Sequence, residues 1–538
     1  MKDELMSYRC NAEMDKKTLD FLSDIPSSWP FLSRLFAFLL GSAMTLVFAP
    51  TELYLLAPFL ILPILFLALV ATPRESASHF FYFGFGLFIT GTYWIYISVH
   101  IYGEAAPWIA IILMTGLSLL MASFMWLAGW IISTLSLGNS WRIFFIGPSV
   151  WVLIEWLRGW MFTGFPWFSQ GYGQIDSALS GWAPIFGVYG VSMMLLFSAS
   201  AILTSMVMTG KNRIAAVMLI FLPWILGSFL NLVKWTEAYG EPIRSTIIQG
   251  GFSQDKKWLP DQRQSILKFY RDATLSKPES ELIVWPEVAI PSLQDQNINF
   301  LNQIHHDAKL NNQTVLVGIL EREVKSNLSP KIYNSVLMIG DSEYQVYRKR
   351  HLVPFGEYFP VPNSVREWMR LRNLPFSDLS AGTEKQSLLK MANGINLSVA
   401  ICWEDAFGAE QLNAFPHADI LINVSNDGWF GDSIAPHQHL QIARMRALEV
   451  GRYSIRSTNT GISAFIDPIG NVIKLGNQFK PVIMSTDVYA HRGNTIYASY
   501  GNWMILGICF LIISIFGLSA FKKNHRYLYK SYNISSKP

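Results

Sequence analysis

The stretch Leu397-Ser-Val-Ala-Ile-Cys402-Trp-Glu-Asp405 is a strand-like run that stops at a thiol, followed by an aromatic and two acids. Two other stretches end the same way. In Leu282-Ile-Val-Trp-Pro-Glu287, Pro286 has no N–H to give to a sheet ladder, so the strand should end there and deliver Glu287 to the rim of the sheet. In Tyr347-Arg-Lys349-Arg-His351-Leu-Val-Pro-Phe-Gly-Glu357, a polar strand turns into a loop broken by Pro and Gly. Each has a plain explanation when taken singly. A rim Glu is usually solvated, a Cys closing an apolar strand is usually a small core residue, and Lys349 between two arginines reads as a wet basic face. The combination reads differently. Attack by cysteine needs a thiolate, a proton acceptor and a positive group for the developing oxyanion. Cys402, Glu287 and Lys349 supply one of each from separate strand ends, and a sheet rim is where such groups can converge.

Around these stretches, residues 240–495 have an ordinary soluble composition and read as α/β. Strand-like runs fall at Ser245–Ile248, Leu282–Trp285, Thr314–Ile319, Ser335–Ile339, Leu397–Ile401 and Ile420–Val424. Asp261–Arg271 and His439–Val450 have helical apolar spacing. Runs at Ser454–Ser457, Ser463–Ile466 and Val482–Asp487, with turns at Asn459–Gly461 and Pro468–Gly470, predict a further layer of strands. The length suits one domain with its own core.

The rest of the chain is of another kind. Across 538 residues, 51% are hydrophobic and only 15% charged, and the shortage of charge is concentrated in residues 31–235. A helix crossing the bilayer needs roughly 20 mostly apolar residues. Candidates are Phe31–Phe48, Leu55–Ala71, Phe80–Ser98, Trp108–Leu135, Phe144–Trp160, Pro184–Met208, Ile214–Leu232 and Trp503–Phe521, about eight by that criterion. Pro58 and Pro63 interrupt the second. Lys16, Lys17, Arg34, Arg74, Arg142, Lys211 and Arg213 fall on alternate loops. Lys522, Lys523, Arg526 and Lys530 follow the last span, while the loops near Thr51 and Tyr102 hold no Lys or Arg. By the positive-inside rule this predicts cytoplasmic termini. The domains are then a cytoplasmic leader (1–30, with no signal-peptide pattern), a membrane bundle of about seven spans (31–235), an extracytoplasmic α/β domain (240–495), a closing span (503–521) and a cytoplasmic tail (522–538). A net charge of +4 gives no argument for nucleic acid, and Cys10, Cys402 and Cys509 do not suggest a disulfide framework. His437-Gln-His439 has the look of a metal site, but no HExxH or cysteine cluster completes it. Both histidines are expected to order structure, with no metal and no cofactor.

The reactive stretches resemble the signatures of the nitrilase, or carbon–nitrogen hydrolase, superfamily, whose sites use Glu, Lys and Cys in this chain order. The whole chain is more closely similar to the bacterial apolipoprotein N-acyltransferase family. The likeness rests on W-P-E at Trp285–Glu287, Y-x-K-x-H-L-V-P-F-G-E at Tyr347–Glu357 and C-W-E at Cys402–Glu404. It continues in N-x-S-N-D-x-W-F-G at Asn423–Gly431 and H-Q-H-x-x-x-A-R-x-R-A-x-E at His437–Glu449. It implies an αββα sandwich for the polar domain. It also implies Glu287 as general base, Lys349 steadying the tetrahedral intermediate and Cys402 carrying an acyl group as a thioester. Glu357 and Glu404 match further acidic positions and are expected to orient the Lys and the incoming amine. Trp258 and Pro360 match positions in loops that shape lipid access. Trp403 stands where the family often has Tyr, and the aromatic is retained.

The resemblance implies ping-pong transfer from a phospholipid, phosphatidylethanolamine being the family's usual donor, to the amino group of a diacylglyceryl-cysteine on an apolipoprotein. The enzyme is expected to be a monomer in the bacterial inner membrane with its catalytic domain periplasmic. Trp429, Phe430, Phe355, Tyr358 and Phe359 suit loops that dip toward the bilayer interface, although packing under their own domain explains any one of them equally well. A membrane-tethered amidase hydrolysing a small C–N bond is the rival enzyme. A transporter is the rival of another class, but Glu155, near Arg158, is the clearest intramembrane charge and one acid makes a poor transport path.

Overall fold

A computed structural model describes residues 28–136, 139–324, 330–340, 343–358 and 378–534, with side chains as far as Leu518. The leader up to residue 27, Phe359, Pro360 and the basic side chains of the tail therefore lie outside the described residues. The chain divides into two compact units. One draws on Met1–His100, Ala105–Val233 and Tyr500–Pro538, the other on Ile101–Glu104 and Lys234–Ser499.

The first unit is helical. Its longer helices are α1 (Pro30–Met44), α2 (Ala57–Val70), α3 (Pro73–Gly91), α4 (Pro107–Ser136), α5 (Ser140–Arg158), α6 (Ala183–Val207), α7 (Gly210–Leu230) and, at the C-terminal end, Trp503–Ile534. Among the described residues, four helical stretches are long and apolar enough to cross a membrane: Pro30–Val47, Pro107–Ser136, Ala178–Val207 and Gly210–Leu230. A fifth joins them if α3 and the segment Trp94–Tyr102, bent by 48° from it, form one span. That bend alters the reading of Phe80–Ser98 as one apolar run. The helix starts earlier, at Pro73, because Thr72 and Glu75 form a capping box that satisfies the first turn, and it stops at Gly91. Helices α1 and α3 meet backbone to backbone: a Cβ on Gly41 would lie 1.9 Å from the Phe83 carbonyl oxygen, so only glycine permits the approach.

Between α5 and α6 the chain runs through short 3-10 turns and is nevertheless largely buried. Irregular backbone in apolar surroundings must find its hydrogen bonds inside the protein, and two charged residues of α5 supply them. Arg158 donates to the carbonyl oxygens of Phe165 and Trp167, and Glu155 accepts from the Gln170 N–H at 2.9 Å and from Trp151 Nε1 at 3.2 Å. Glu155 is thus tied to its own fold.

The second unit has strands β1 (Glu237–Gln249), β2 (Leu282–Val284), β3 (Ile290–Leu293), β4 (Thr314–Glu323), β5 (Lys331–Gly340), β6 (Gln345–Arg348) and β7 (Leu389–Lys390). They are followed by β8 (Asn396–Ile401), β9 (Ile420–Ser425), β10 (Ser454–Thr458), β11 (Ala464–Ile466), β12 (Val472–Leu475) and β13 (Val482–Arg492). One sheet has the order β13-β1-β2-β4-β5-β6, with β3 beside β4; the other has the order β12-β11-β10-β9-β8-β7. The layer between them is apolar and drawn from both sheets, including Ile247, Val284, Leu316 and Val336 from one and Val399, Ile401, Ile422 and Ile455 from the other. Helices Arg263–Leu275 and Ile298–Leu310 cover the outer face of the first sheet through Ile266, Tyr270, Leu301 and Ile304. Helix Ala435–Val450 covers the second through Ala443 and Ala447. This is the αββα sandwich. The further layer expected of Ser454–Ser457, Ser463–Ile466 and Val482–Asp487 does not form: β10 and β11 extend the sheet of β8 and β9, while Val482–Asp487 crosses to the first sheet and pairs antiparallel with β1, Glu237 opposite Arg492.

Strand direction explains how the reactive ends meet. β1, β2 and β4 are parallel; β5 runs against β4, and β6 against β5. Hence β6 ends on the same rim as β2. In the second sheet β8, β9 and β10 are mutually parallel. The carboxyl ends of parallel strands are where open α/β sheets place their ligands.

Candidate active site

Glu287 follows β2 by three residues, and Lys349 directly follows β6. The Lys349 ammonium lies 2.9 Å from Glu357 Oε1 and 3.4 Å from Glu287 Oε1, with only 1% of its side chain exposed. A buried ammonium is tolerable only when paired. Burial works against its charge, but Glu357, Glu287 and Cys402 outweigh that and hold the Lys349 pKa above its ordinary value. Asn334, on β5, donates to Glu287 Oε1 at 2.7 Å and to Glu357 Oε1 at 3.1 Å, and its carbonyl oxygen accepts the Lys349 N–H at 2.8 Å. One residue thus fixes both carboxylates through its side-chain amide and the lysine backbone through its main-chain oxygen.

Cys402 directly follows β8 and adopts φ +52°, in the left-handed region that a residue with a Cβ rarely occupies. Such a turn presents a nucleophile beyond the sheet edge. Burial pushes the thiol pKa up, the Glu287 charge pushes further, Lys349 opposes, and Asp427 adds to the rise. The free thiol is therefore a poor thiolate by itself and needs a proton acceptor beside it. The structure brings Glu287, Lys349, Glu357 and Cys402 into one electrostatically coupled group.

Glu404 is buried and held by the main chain around the two reactive turns. Its carboxylate accepts from the N–H groups of Arg350 at 2.6 Å, Ile401 at 2.7 Å and His351 at 3.2 Å, and from the Tyr347 hydroxyl at 3.0 Å. It clamps the turn after Lys349 to the turn at Cys402. Trp403 packs edge-on against Phe407 with centroids 5.4 Å apart, and Phe407 stacks on His351. Trp258, Phe355 and Trp429 are exposed by 47%, 52% and 40%. His439 binds Asp427 and the Cys402 carbonyl oxygen.

Sequence reading missed Lys257 and Asn334. Lys257 is fully buried, and its ammonium reaches the Glu287 carbonyl oxygen at 3.5 Å. Burial lowers its pKa to about 8, with Glu287 acting the other way. In sequence it is the second of two lysines before Trp258, identical in appearance to a solvated pair. Asn334 stands just before the strand-like run Ser335–Ile339, where a polar residue gives no signal. Gly318 was also silent: a Cβ there would lie 2.1 Å from the Pro286 carbonyl oxygen and 2.9 Å from the Glu287 Cα, so β4 makes room for the Glu287 turn.

An αββα sandwich whose strand ends gather Glu, Lys and Cys defines a nitrilase-type, carbon–nitrogen hydrolase domain, here carried by a chain with a large apolar helical unit. Residues 246–494 match the family described as Carbon-nitrogen hydrolase, and residues 40–201 the Apolipoprotein N-acyltransferase N-terminal domain. The Apolipoprotein N-acyltransferase of Methylococcus capsulatus is 37% identical over 477 residues, covering 88% of this chain and 94% of its own. That of Nitrosomonas europaea is 37% identical over 505 residues, covering 91% and 98%, and that of Photobacterium profundum 36% over 477, covering 86% and 90%. The chain belongs to the apolipoprotein N-acyltransferase family, which makes it a membrane protein and an acyltransferase.

Proposed function

We propose that this chain moves a fatty acyl group from a phospholipid, of the phosphatidylethanolamine type, to the α-amino group of the diacylglyceryl-cysteine that begins an apolipoprotein. The observation that carries this reading is the contact of buried Lys349 with Glu287 and Glu357 beside the strained turn at Cys402, in a chain of this family. Glu287 takes the thiol proton as Sγ attacks the ester carbonyl carbon. Lys349 stands by the oxyanion, where a preorganised cation is worth most. Collapse breaks the ester C–O bond, and the lysophospholipid oxygen leaves with the proton from Glu287. The amine then attacks the thioester carbon and gives a proton to Glu287, and Sγ leaves and recovers it. Glu357 holds Lys349 in place, and Glu404 fixes the two turns. Exposed Trp258, Phe355 and Trp429 suit contact with acyl chains, and Pro360 belongs to the same reading of lipid access.

The alternation of Lys and Arg between loops supports about seven spans in 31–235, a closing span at 503–521 and cytoplasmic ends (leader 1–30, tail 522–538). It also supports a periplasmic catalytic domain at 240–495 in the bacterial inner membrane. A monomer has all the proposed catalytic groups in one chain. The test is mass spectrometry of a lipoprotein N-terminal peptide after incubation with this protein and phospholipid. The expected result is an N-acylated cysteine. Hydrolysis of a small amide with an unmodified peptide would instead mark an amidase and refute the proposal.

A further inference from the structure

The helical turn Gln254–Lys257 buries the side chains of Gln254 and Lys257 and leaves Asp255 and Lys256 exposed. Each buried side chain reaches a different reactive strand end. Gln254 Oε1 accepts from Asn426 Nδ2 at 2.8 Å, and Asn426 directly follows β9 of the second sheet. Lys257 Nζ lies 3.5 Å from the main-chain oxygen of Glu287, beyond β2 of the first sheet. Trp258 and Leu259, both exposed, follow the turn directly. The Glu287 oxygen needs such a partner. Glu287 is buried, and the next residue, Val288, adopts φ +44°, so this part of the chain is strained as well. Among the described residues Lys257 is the one donor to that oxygen, and a buried main-chain oxygen left without a donor is unfavourable. The ammonium gains less than it gives. It has three protons to donate, and the Glu287 oxygen is its one hydrogen-bond acceptor among the described residues. Burial lowers its pKa to about 8, although the Glu287 charge works in its favour. An apolar chain of the same length would fill the space without that cost, so stability does not explain a lysine here.

We infer that Lys257 is a positioning residue for the proton acceptor, holding the main chain of Glu287 from the segment that carries Trp258. Two lysines then hold one glutamate. Lys349 meets its carboxylate at 3.4 Å, and Lys257 meets its main-chain oxygen at 3.5 Å. Gly318 of β4 supports the same turn, since only glycine there leaves room for the Pro286 carbonyl. Without the Lys257 ammonium the Glu287 oxygen loses its donor, and the strained turn can relax toward another partner. The carboxylate moves with it, away from Asn334 and Lys349, and a base displaced by ~1 Å can cost about 10²-fold in rate. Lys257 is thus a cost to the fold and a gain to the reaction. Its removal should separate the two.

This inference rests on Glu287 and Cys402 acting as proton acceptor and nucleophile, and it is tested with an acyl donor that requires neither phospholipid nor lipoprotein. The whole protein in detergent is mixed at pH 7 with p-nitrophenyl butyrate. Sγ takes the butyryl group and nitrophenolate leaves, so the nitrophenolate burst and the mass of the Cys402 peptide give the acylation rate. K257M should lower the maximal rate about tenfold to a hundredfold and leave the half-saturating ester concentration little changed. Its apparent Tm should not fall, because a buried ammonium has been removed. K257R keeps a donor and the charge and should recover the rate to within about threefold of the unaltered chain. K256M, at the exposed neighbour, should leave the rate unchanged. A K257M chain acylated within about twofold of the unaltered rate would overturn the inference. Equal losses in K257M and K257R would also overturn it, as the mark of packing alone. Acylation by the ester but not by phospholipid would refute the proposed donor and still decide the role of Lys257. No acylation of Cys402 in the unaltered chain would overturn both.

Discussion

Gly318→Ala probes how closely Glu287 must be placed. The added methyl would stand 2.1 Å from the Pro286 carbonyl oxygen and 2.9 Å from the Glu287 Cα, both backbone atoms that cannot rotate away. Ordinary contact starts at 3.4 Å, so β4 or the Pro286–Glu287 turn must give by about 1.3 Å. Overpacking of this kind costs roughly 1–3 kcal/mol of stability, which should appear as a modest fall in apparent Tm. The larger effect should be kinetic. Glu287 Oε1 is 2.7 Å from Asn334 Nδ2 and 3.4 Å from Lys349 Nζ, and neither contact survives a displacement of that size. Misplacement by ~1 Å can cost about 10²-fold in rate, and that loss is expected here. The assay mixes protein with phospholipid, quenches at intervals and follows the acyl mass on the Cys402 peptide. Gly116→Ala is the control, because nothing lies within 4 Å of that added methyl. A Gly318→Ala chain that is folded and forms acyl-enzyme within about twofold of the unaltered rate would refute the idea that Glu287 placement limits the first step.

Lys257→Met should raise stability at neutral pH, since it removes a buried ammonium. The folded pKa of about 8 lies below the ordinary 10.5, so the native state is penalised while the lysine is charged and gains stability as pH rises from about 8 toward 10.5. The variant's advantage, on the order of 3 kcal/mol at most, should therefore be largest below pH 8 and fade above it. An advantage that does not change between pH 7 and 10 would contradict this. Glu404→Gln can accept at only one of the two oxygens that now receive four donors. It should lose about 3 kcal/mol and slow acyl-enzyme formation about tenfold through the loosened turns, as read by thermal unfolding and the same quench assay. Normal stability would show that the clamp is dispensable.

The parts of the site visible in sequence were those with a local cause. Pro286 had to end a strand before Glu287, and Cys402 stood at the end of an apolar run, so both rim positions could be read residue by residue. Lys349 was readable only in company with them. What stayed hidden depended on contacts distant in sequence. β13 pairs with β1 from across the whole domain, and nothing within Val482–Asp487 says which sheet it joins. Glu404 stood out because it follows the nucleophile by two residues, but its four bonds are to groups that meet only after folding. Lys257 and Asn334 had ordinary surroundings in sequence and acquire their character from burial against Glu287. In the helical unit the apolar runs marked most helices, but the Thr72–Glu75 cap moved one start into a charged stretch that hydropathy passes over.

The most direct measurement is the mass of the Cys402 peptide after the protein is mixed with phospholipid alone. The account predicts one added fatty acyl group, removable by hydroxylamine as a thioester should be, and absent in Cys402→Ala. An acyl group found on another residue, or a Cys402→Ala chain that still N-acylates a lipoprotein peptide, would contradict it.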